Sequence, residues 1–475
     1  MNYFSSNTPP ARAPPAEAND SADEHQLSWS IQALRTGGGG NAAQGEDKKI
    51  QSEAAIVFTI TATSQALSRG SSRPKKVLII GAGWYGCHCA MVCKRLGIAF
   101  DMVDSANAIM TESSVRNQNR LHLGFHYPRC FATRAECVSG HARFMSVYKH
   151  LTLQVPRNMY LVSKNSVIDF RTFANIFKYE KTPFTEVSMY ENGCLPFNWL
   201  PEQYDGALLT AERMIDCEKV SSFFRSELGN HLIPGCSPGD IDMLSLSEEV
   251  SFRGRKYDLA FDCTYGQLGS DAQHVFELCC SWVYKFRHPI VVPGDLFGFT
   301  VMDGPFFSIF PYKPLENLFT LTHVVHTPLM LSTDIAEMRG AMASDAIAAK
   351  VKYHHQKALE HVTESVPYFS EAFEYQDHFL SIKCKSSLKN DDRSLQVRES
   401  KNVVSFCGGK ITGIFSMEDY LLKRFSSTLP VVKVPGTSTA DVRLNIPAIT
   451  TKSQENAASV GALPEPRVYQ SQCEK

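Results

Sequence analysis

The stretch KKVLIIGAGWYGCHCAMVCKRLGIAFDMVD, Lys75–Asp104, decides the fold. KVLII (Lys76–Ile80) is short, β-branched and apolar beyond its first residue, as a strand buried on both faces of a parallel sheet requires. Trp84–Leu96 reads as a helix, and Gly97 supplies the left-handed residue that stops one. AFDMVD then returns to strand and ends on Asp104. Strand, helix and strand make a βαβ unit, whose right-handed crossover places the two strands side by side.

Gly81, Gly83 and Gly86 form G-x-G-x-x-G between the first strand and the helix, with Trp84 and Tyr85 inside the motif. The first glycine allows the tight turn, the second lets a pyrophosphate approach the backbone, and the third lets helix and strand pack closely. The helix N-terminus offers N–H groups and the positive end of its dipole to the phosphates. Asp104 lies 23 positions after Gly81, where a carboxylate accepts hydrogen bonds from ribose hydroxyls. A carboxylate there repels a 2′-phosphate, so the fingerprint predicts FAD or NAD rather than NADP.

The chain has 475 residues, enough for two or three domains or one two-lobed enzyme. Net charge is −1 with no basic arm, which argues against nucleic-acid binding. The 14 cysteines show no CxxC pair, so reduced thiols in a cytoplasmic protein are expected, with no metal site. No secretory signal opens the chain, and Asp20, Asp23 and Glu24 argue against a transit peptide. The early apolar run Ala55–Ala62 is too short to span a bilayer, so no membrane partner is expected.

Residues 1–72 are rich in Pro, Gly and Ser and read as a disordered leader; 431–475 read as a disordered tail. KYDLAFDCTYG (Lys256–Gly266) is a second buried strand entering a turn. Short strands with turns between 285 and 330 predict an antiparallel sheet, and a long helix is expected from Thr333 to Val366. NVVSFCGGKITGIFSMEDYLLKRF closes the folded part with strand, Gly-rich turn and helix.

A second informative stretch is SSVRNQNRLHLGFHYPRC (Ser113–Cys130), too polar for a core strand and too rich in aromatics and glycine for a solvated loop. His122 and His126 are four apart, but Gly124 and Pro128 oppose a helix and no third ligand is evident, so a metal is not expected.

The ordered set of GAGWYG, Asp104, NQNRLH and GGKITG, with a β-rich middle, resembles the FAD-dependent oxidoreductases of the D-amino-acid-oxidase-like superfamily over about 75–425. The resemblance implies an α/β fold: a Rossmann-like (GR2-type) FAD-binding domain, discontinuous in sequence, with an antiparallel substrate domain. The expected division is 73–150, 205–284 and 396–430 for FAD, and 151–204 and 285–395 for substrate. It also implies cofactor contacts from Gly81, Gly83, Trp84, Tyr85, Gly86 and Asp104. Ser114, Asn117, Gln118, Arg120 and Leu121 fall in the segment that lies along the flavin in such enzymes. Gly408, Gly409, Lys410, Ile411 and Thr412 match the turn at the pyrimidine end.

His122, His126 and Lys410 are the candidate catalytic residues, with a structural hydrogen bond as the other reading for the histidines and a solvated surface position for Lys410. Asn117 and Gln118 either contact cofactor or satisfy buried backbone; Arg120 and Arg129 either clamp a carboxylate or pair with an acid. Tyr312, His323 and His326 are candidates to line the pocket; Lys383, Lys385 and Arg393 read as a solvent-facing charged loop, with a substrate-anion role as the other reading, and the pair His354–His355 is expected at the surface. HYPR with NQNR departs from the amino-acid oxidases, sarcosine oxidases and glycerol-phosphate dehydrogenases, so the resemblance is to a less characterised branch and no substrate residue carries over. The expected activity is removal of a hydride from a CH–NH or CH–OH carbon of a small polar substrate. A redox-neutral mutase or isomerase on a nucleotide sugar and a non-catalytic FAD-binding protein are the alternatives.

Overall fold

The computed structural model describes residue 74 and residues 76–426, apart from 190–194, 238–239, 243–249, 269–273, 289, 291–294, 305 and 387–392. The expected leader and tail, and Lys75, lie outside the described residues.

The opening unit folds as its pattern requires. Strand β1 (Lys76–Ile80), helix α1 (Trp84–Leu96) and strand β2 (Ala99–Val103) follow one another, and Gly97 ends α1 at φ 64°. β1 pairs in parallel with β2 on one side and with the strand Leu259–Asp262 on the other. Val403–Cys407 continues the parallel set beyond Leu259–Asp262, Gln396–Ser400 adds an antiparallel edge, and Leu232–Ile233 joins beyond β2. Six strands result, two of them meeting glycine turns at their C-terminal ends. Helix α1 packs between this sheet and the helices Phe131–Tyr148, Cys217–Leu228 and Gly413–Ser426, burying Trp84, Phe144, Tyr148, Phe224 and Phe415 together.

The β-rich middle is a nine-stranded, largely antiparallel sheet. Its longest pairing joins His274–Phe286 to Phe373–Ser386, and its core includes Trp282, Phe297, Phe299 and Phe319. Two of the expected domain boundaries cut strands of this sheet. Tyr204–Thr210 and His274–Phe286 both belong to it, so the divisions at 204/205 and 284/285 fall inside continuous ladders. Boundaries between units fall in connections that few contacts cross, not within a hydrogen-bonded strand.

The expected helix from Thr333 to Val366 is two helices, Ile335–Ala341 and Asp345–Ser365. Ser344 breaks it: its hydroxyl accepts the Ile347 N–H, capping the second helix at the price of continuity with the first. His354 and His355 are half-buried rather than at the surface. His355 stacks on Trp282 at 5.5 Å and bonds the Tyr284 hydroxyl at 2.5 Å.

Candidate active site

The first glycine turn is held by contacts that leave no room for side chains. Gly81 has φ +100°, and a Cβ there meets the Cys263 carbonyl oxygen at 2.7 Å. A Cβ on Gly86 falls 1.8 Å from the Gly81 oxygen, so helix and turn close on bare backbone. Asp104 braces the same turn: Oδ2 accepts the Ala82 N–H at 2.5 Å and Oδ1 the Ala106 N–H at 2.8 Å. Each oxygen keeps a second lone pair for a ligand hydroxyl. Ser114 Oγ accepts the Trp84 N–H at 3.0 Å, which lays the second polar stretch over the start of α1. Trp84 itself points its ring into the helical core against Phe144 and Phe224.

The second stretch is a network built around buried Arg120. Its guanidinium bonds Tyr160 Oη at 2.9 Å, Thr300 Oγ1 at 3.0 Å and Ser308 Oγ at 2.7 Å, and lies 3.5 Å from Glu212 Oε2. Tyr160 donates to Glu212 Oε2 at 2.6 Å, so its oxygen accepts from His126 Nδ1 at 2.7 Å. That chain fixes the His126 tautomer with hydrogen on Nδ1 and a lone pair on Nε2. Glu212 Oε1 accepts the Leu123 N–H at 2.8 Å and stands 3.6 Å from His122 Nδ1.

Burial, reinforced by the Lys410 cation, pushes the His122 imidazole down to about 4. Burial and the Arg120 cation likewise lower His126 well below the ordinary range. Burial raises the Glu212 carboxyl, but His122, Arg120 and Tyr160 outweigh it and hold it at about 2. At neutral pH both imidazoles are therefore uncharged, and Arg120 balances an ionised Glu212.

Gly408, Gly409, Lys410 and Ile411 form the C-terminal turn ahead of the helix Gly413–Ser426. Tyr85 reaches it from α1, donating to the Lys410 carbonyl at 2.8 Å. The Gly409 N–H is already given to the Arg393 carbonyl at 3.0 Å, which leaves the following N–H groups to face a ligand. Lys410 Nζ sits 4.4 Å from the centroid of the Tyr127 ring.

One cavity of about 650 Å³ connects these parts. Gly81, Gly83, Trp84, Tyr85, Asp104, Ser114, Asn117, Gln118 and Arg120 line it, as do His122, His126 and Gly408 to Ile411. Gly86 lies behind the turn, packed on Gly81. Leu121 and Thr412 are corrections. Leu121 is fully buried in the helical core, and Thr412 is buried against Gly140 of the helix Phe131–Tyr148. Leu121 follows Arg120 on extended backbone, where successive side chains point to opposite faces, whereas Thr412 sits in the turn that enters the last helix.

Asn117 spends both ends of its amide on the loop itself, accepting from the Asn119 N–H and donating to the Ser113 carbonyl, both at 2.5 Å. Gln118 donates to the Ser308 carbonyl at 3.1 Å, and Arg129 pairs with Asp303 at 2.8 Å. Of the candidates from the β-rich sheet, His323 lines the cavity, while Tyr312 packs on Phe379 and His326 meets His354.

Lys383, Lys385 and Arg393 do not face solvent as expected: all three line the cavity. Lys383 and Lys385 alternate on the strand Phe373–Ser386, so one face of that strand carries both inward, and Lys385 pairs with Glu277 of the neighbouring strand. Alternation of Ser381, Lys383 and Lys385 was the sequence signal for this.

Two groups of potential donor side chains come together among the described residues. His122, His126 and Glu212 bring donor atoms within 4.8 Å of one another, as do His274, Cys384 and Cys407. In the first set Glu212 already accepts from Leu123, Tyr160 and Arg120, and Arg120 and Lys410 oppose a further cation.

No family model matches the chain. It is 30% identical over 356 residues to the FAD-dependent monooxygenase FPY4 of Fusarium mangiferae, covering 74% of this chain and 92% of that protein. It is 25% identical over 368 residues to the FAD-dependent monooxygenase kojA of Aspergillus flavus, covering 71% of this chain and 83% of that protein. Its fold is similar to L-α-glycerophosphate oxidase of Mycoplasma pneumoniae with FAD bound (TM-score 0.56, 13% identity, 76% of this chain and 96% of that one). Glycine oxidase from Geobacillus kaustophilus gives a TM-score of 0.54 at 10% identity, over 77% of this chain and 97% of that one. With Gly81 and Gly86 closing on bare backbone beside Asp104, and with the identity to FPY4, the chain belongs to the FAD-dependent monooxygenases and is an FAD-dependent oxidoreductase.

Proposed function

We propose that the chain oxidises a small anionic substrate held in the same cavity as its FAD. The observation that carries this reading is the continuity of that cavity: both glycine turns, Asp104, His122 and His126 line one space of about 650 Å³. The Gly81–Gly86 turn takes the pyrophosphate and Asp104 the ribose, while Gly408–Ile411 take the pyrimidine end of the flavin. The parallel sheet is then the FAD-binding domain and the nine-stranded sheet the substrate domain, each assembled from separated segments. FAD bound there supplies the two-electron acceptor.

The chain's own part is orientation, charge and proton handling. His126 presents the Nε2 lone pair while Tyr160, Glu212 and Arg120 fix its ring, which suits it to take a proton from a substrate O–H or N–H. Arg116, Arg339, Lys383, Arg393 and Lys410 line the cavity, against Asp104 and Glu112, once the Lys385–Glu277 and Arg120–Glu212 pairs are set aside. The FAD phosphates use part of that positive charge; the remainder favours a substrate bearing a carboxylate or an acidic hydroxyl. The reacting carbon is a CH–OH or CH–NH carbon in this reading.

The names of the relatives favour a second reading, insertion of one atom of O₂ into the substrate, the other leaving as water with two electrons from an added reduced nicotinamide. A bound-flavin spectrum followed by an anaerobic screen of small acids tests both. Oxidation bleaches the flavin without oxygen, whereas insertion leaves one labelled atom in product made under ¹⁸O₂. A substrate that turns over with the flavin oxidised throughout overturns both and supports redox-neutral chemistry.

A further inference from the structure

The unexplained feature of the molecule is the cluster His274, Cys384 and Cys407. His274 opens the strand His274–Phe286, Cys384 lies on its partner Phe373–Ser386, and Cys407 ends Val403–Cys407 of the parallel sheet. The three therefore meet where the two sheets touch, one residue before Gly408. Sγ of Cys384 and Sγ of Cys407 are 3.5 Å apart, and all three donor atoms lie within 4.8 Å of one another. His274 is 6% exposed and Cys384 3%.

Among the described residues, the His274 ring finds no polar partner beyond the neighbouring Cys407 thiol. A thiol is a weak hydrogen-bond partner for a buried imidazole, and a ligand shared by all three side chains satisfies the ring better. A void of about 10 Å³ lined by Cys384, Cys407 and Gly409 opens next to the sulfurs. The Asp262 carboxylate acts electrostatically on all three side chains and adds negative charge to the cluster. Gly266, at φ +78°, keeps the near side open: a Cβ there falls 3.0 Å from Cys384 Sγ and 3.3 Å from His274 Nδ1.

We propose that His274, Cys384 and Cys407 bind one zinc ion, which staples the nine-stranded sheet to the parallel sheet beneath the Gly408 turn. Two thiolates and an imidazole are the donors such a cation selects, and a water completes its four positions. With Zn–S near 2.3 Å, tetrahedral geometry sets the sulfurs about 3.8 Å apart, close to the spacing present. A disulfide needs about 2.05 Å and leaves the imidazole unsatisfied, so it explains less of the arrangement. Binding releases the thiol protons to solvent and involves no change of oxidation state. Cys384 also lines the large cavity, so the zinc site borders the space assigned to FAD while taking no part in the proposed reaction.

The test uses the FAD-loaded protein purified with a reductant that does not bind metals. Zinc titrated against a chromophoric chelator is expected to bind at about one equivalent per chain. Cobalt(II) in its place is expected to give intense ligand-field bands to the red of the flavin absorption, the signature of tetrahedral thiolate ligation in the unmutated chain. Cys384→Ser and Cys407→Ser are expected to lose those bands, and Cys130→Ser to keep them. Loss of zinc is expected to lower the melting temperature and speed FAD release. Failure of the unmutated protein to bind either metal overturns the proposal, as does retention of the cobalt bands in Cys384→Ser. A Cys384–Cys407 disulfide found by mass spectrometry under those conditions overturns it in favour of a redox pair.

Discussion

Tyr85 and Lys410 are 325 positions apart, yet the Tyr85 hydroxyl donates to the Lys410 carbonyl at 2.8 Å. The hydroxyl also fills the space where a Cβ on Gly408 or Gly413 would lie, at 2.1 and 2.3 Å. One phenol in the first glycine motif thus sets the height of the last. The first and last glycine turns are thereby held as a unit.

Tyr85→Phe removes that hydrogen bond and leaves the Lys410 carbonyl with the Gly413 N–H, at 3.2 Å, as its remaining donor. The cost is about 1 kcal/mol, roughly fivefold in FAD affinity if it falls on the cofactor-bound geometry. Flavin release measured by fluorescence is expected to be faster with the melting temperature of the FAD-free protein little changed. An unaltered release rate would show that the two turns hold their spacing without the phenol.

Gly83→Ala and Gly86→Ala are expected to fail differently. The Cβ on Gly83 meets Ser114 Oγ at 2.6 Å, a side chain able to rotate away, although the Trp84 N–H then loses its acceptor. That variant is expected to fold and to be purified with little flavin. The Cβ on Gly86 meets backbone at 1.8 Å, which nothing nearby can relieve, so that variant is expected to be insoluble. Flavin content against soluble yield separates the two; equal yields and equal flavin would contradict the packing argument.

The first turn was legible because its determinants are local: three glycines, an apolar strand and an acid within 30 residues declare their geometry by spacing alone. The Asp104 brace and the αL stop at Gly97 follow from the same logic. The network around His126 was not legible, because Glu212, in the connection between Tyr204–Thr210 and Arg213–Ile215, and Tyr160, on a strand, lie 86 and 34 residues away and carry no motif. Lys383 and Lys385 were misplaced for a related reason: a strand whose inward face is cationic has the composition of a solvated loop. Adjacency to lining residues misplaces both Leu121, which alternation turns away from Arg120's side, and Thr412, which the turn ahead of the last helix packs against Gly140.

Acid is expected to destabilise the protein through the same network. His122 is held at about 4 in the fold against 6.5 when free, so the unfolded chain takes up a proton in that window that the folded chain refuses. Stability therefore falls as pH drops from 6.5 to 4, by about 3 kcal/mol at most from this residue. Glu212, held at about 2 against 4.5, contributes fully above 4.5 and loses that contribution as pH falls toward 2. Melting temperature against pH is expected to decline below 6.5, with a shallower slope between 6.5 and 4 in His122→Gln. The same slope in both proteins would mean that His122 takes up its proton freely.

Substrate charge and proton transfer are expected to separate in kinetics. Lys383 lines the cavity on an inward strand face, where its ammonium faces a bound anion in the proposed reading. Lys383→Met removes that attraction and keeps the stem, so KM for an acidic substrate is expected to rise about tenfold or more, with kcat and flavin content less affected. His126→Gln keeps a polar group beside Tyr160 but loses the basic Nε2, so kcat is expected to fall by about 10²-fold or more and lose its acid limb, with KM little changed. If Lys383→Met instead strips the flavin, its charge serves the FAD phosphates and the substrate has no reason to be an anion. If His126→Gln leaves the pH profile of kcat intact, the proton leaves by another route and the Tyr160–Glu212–Arg120 network is a scaffold for the loop.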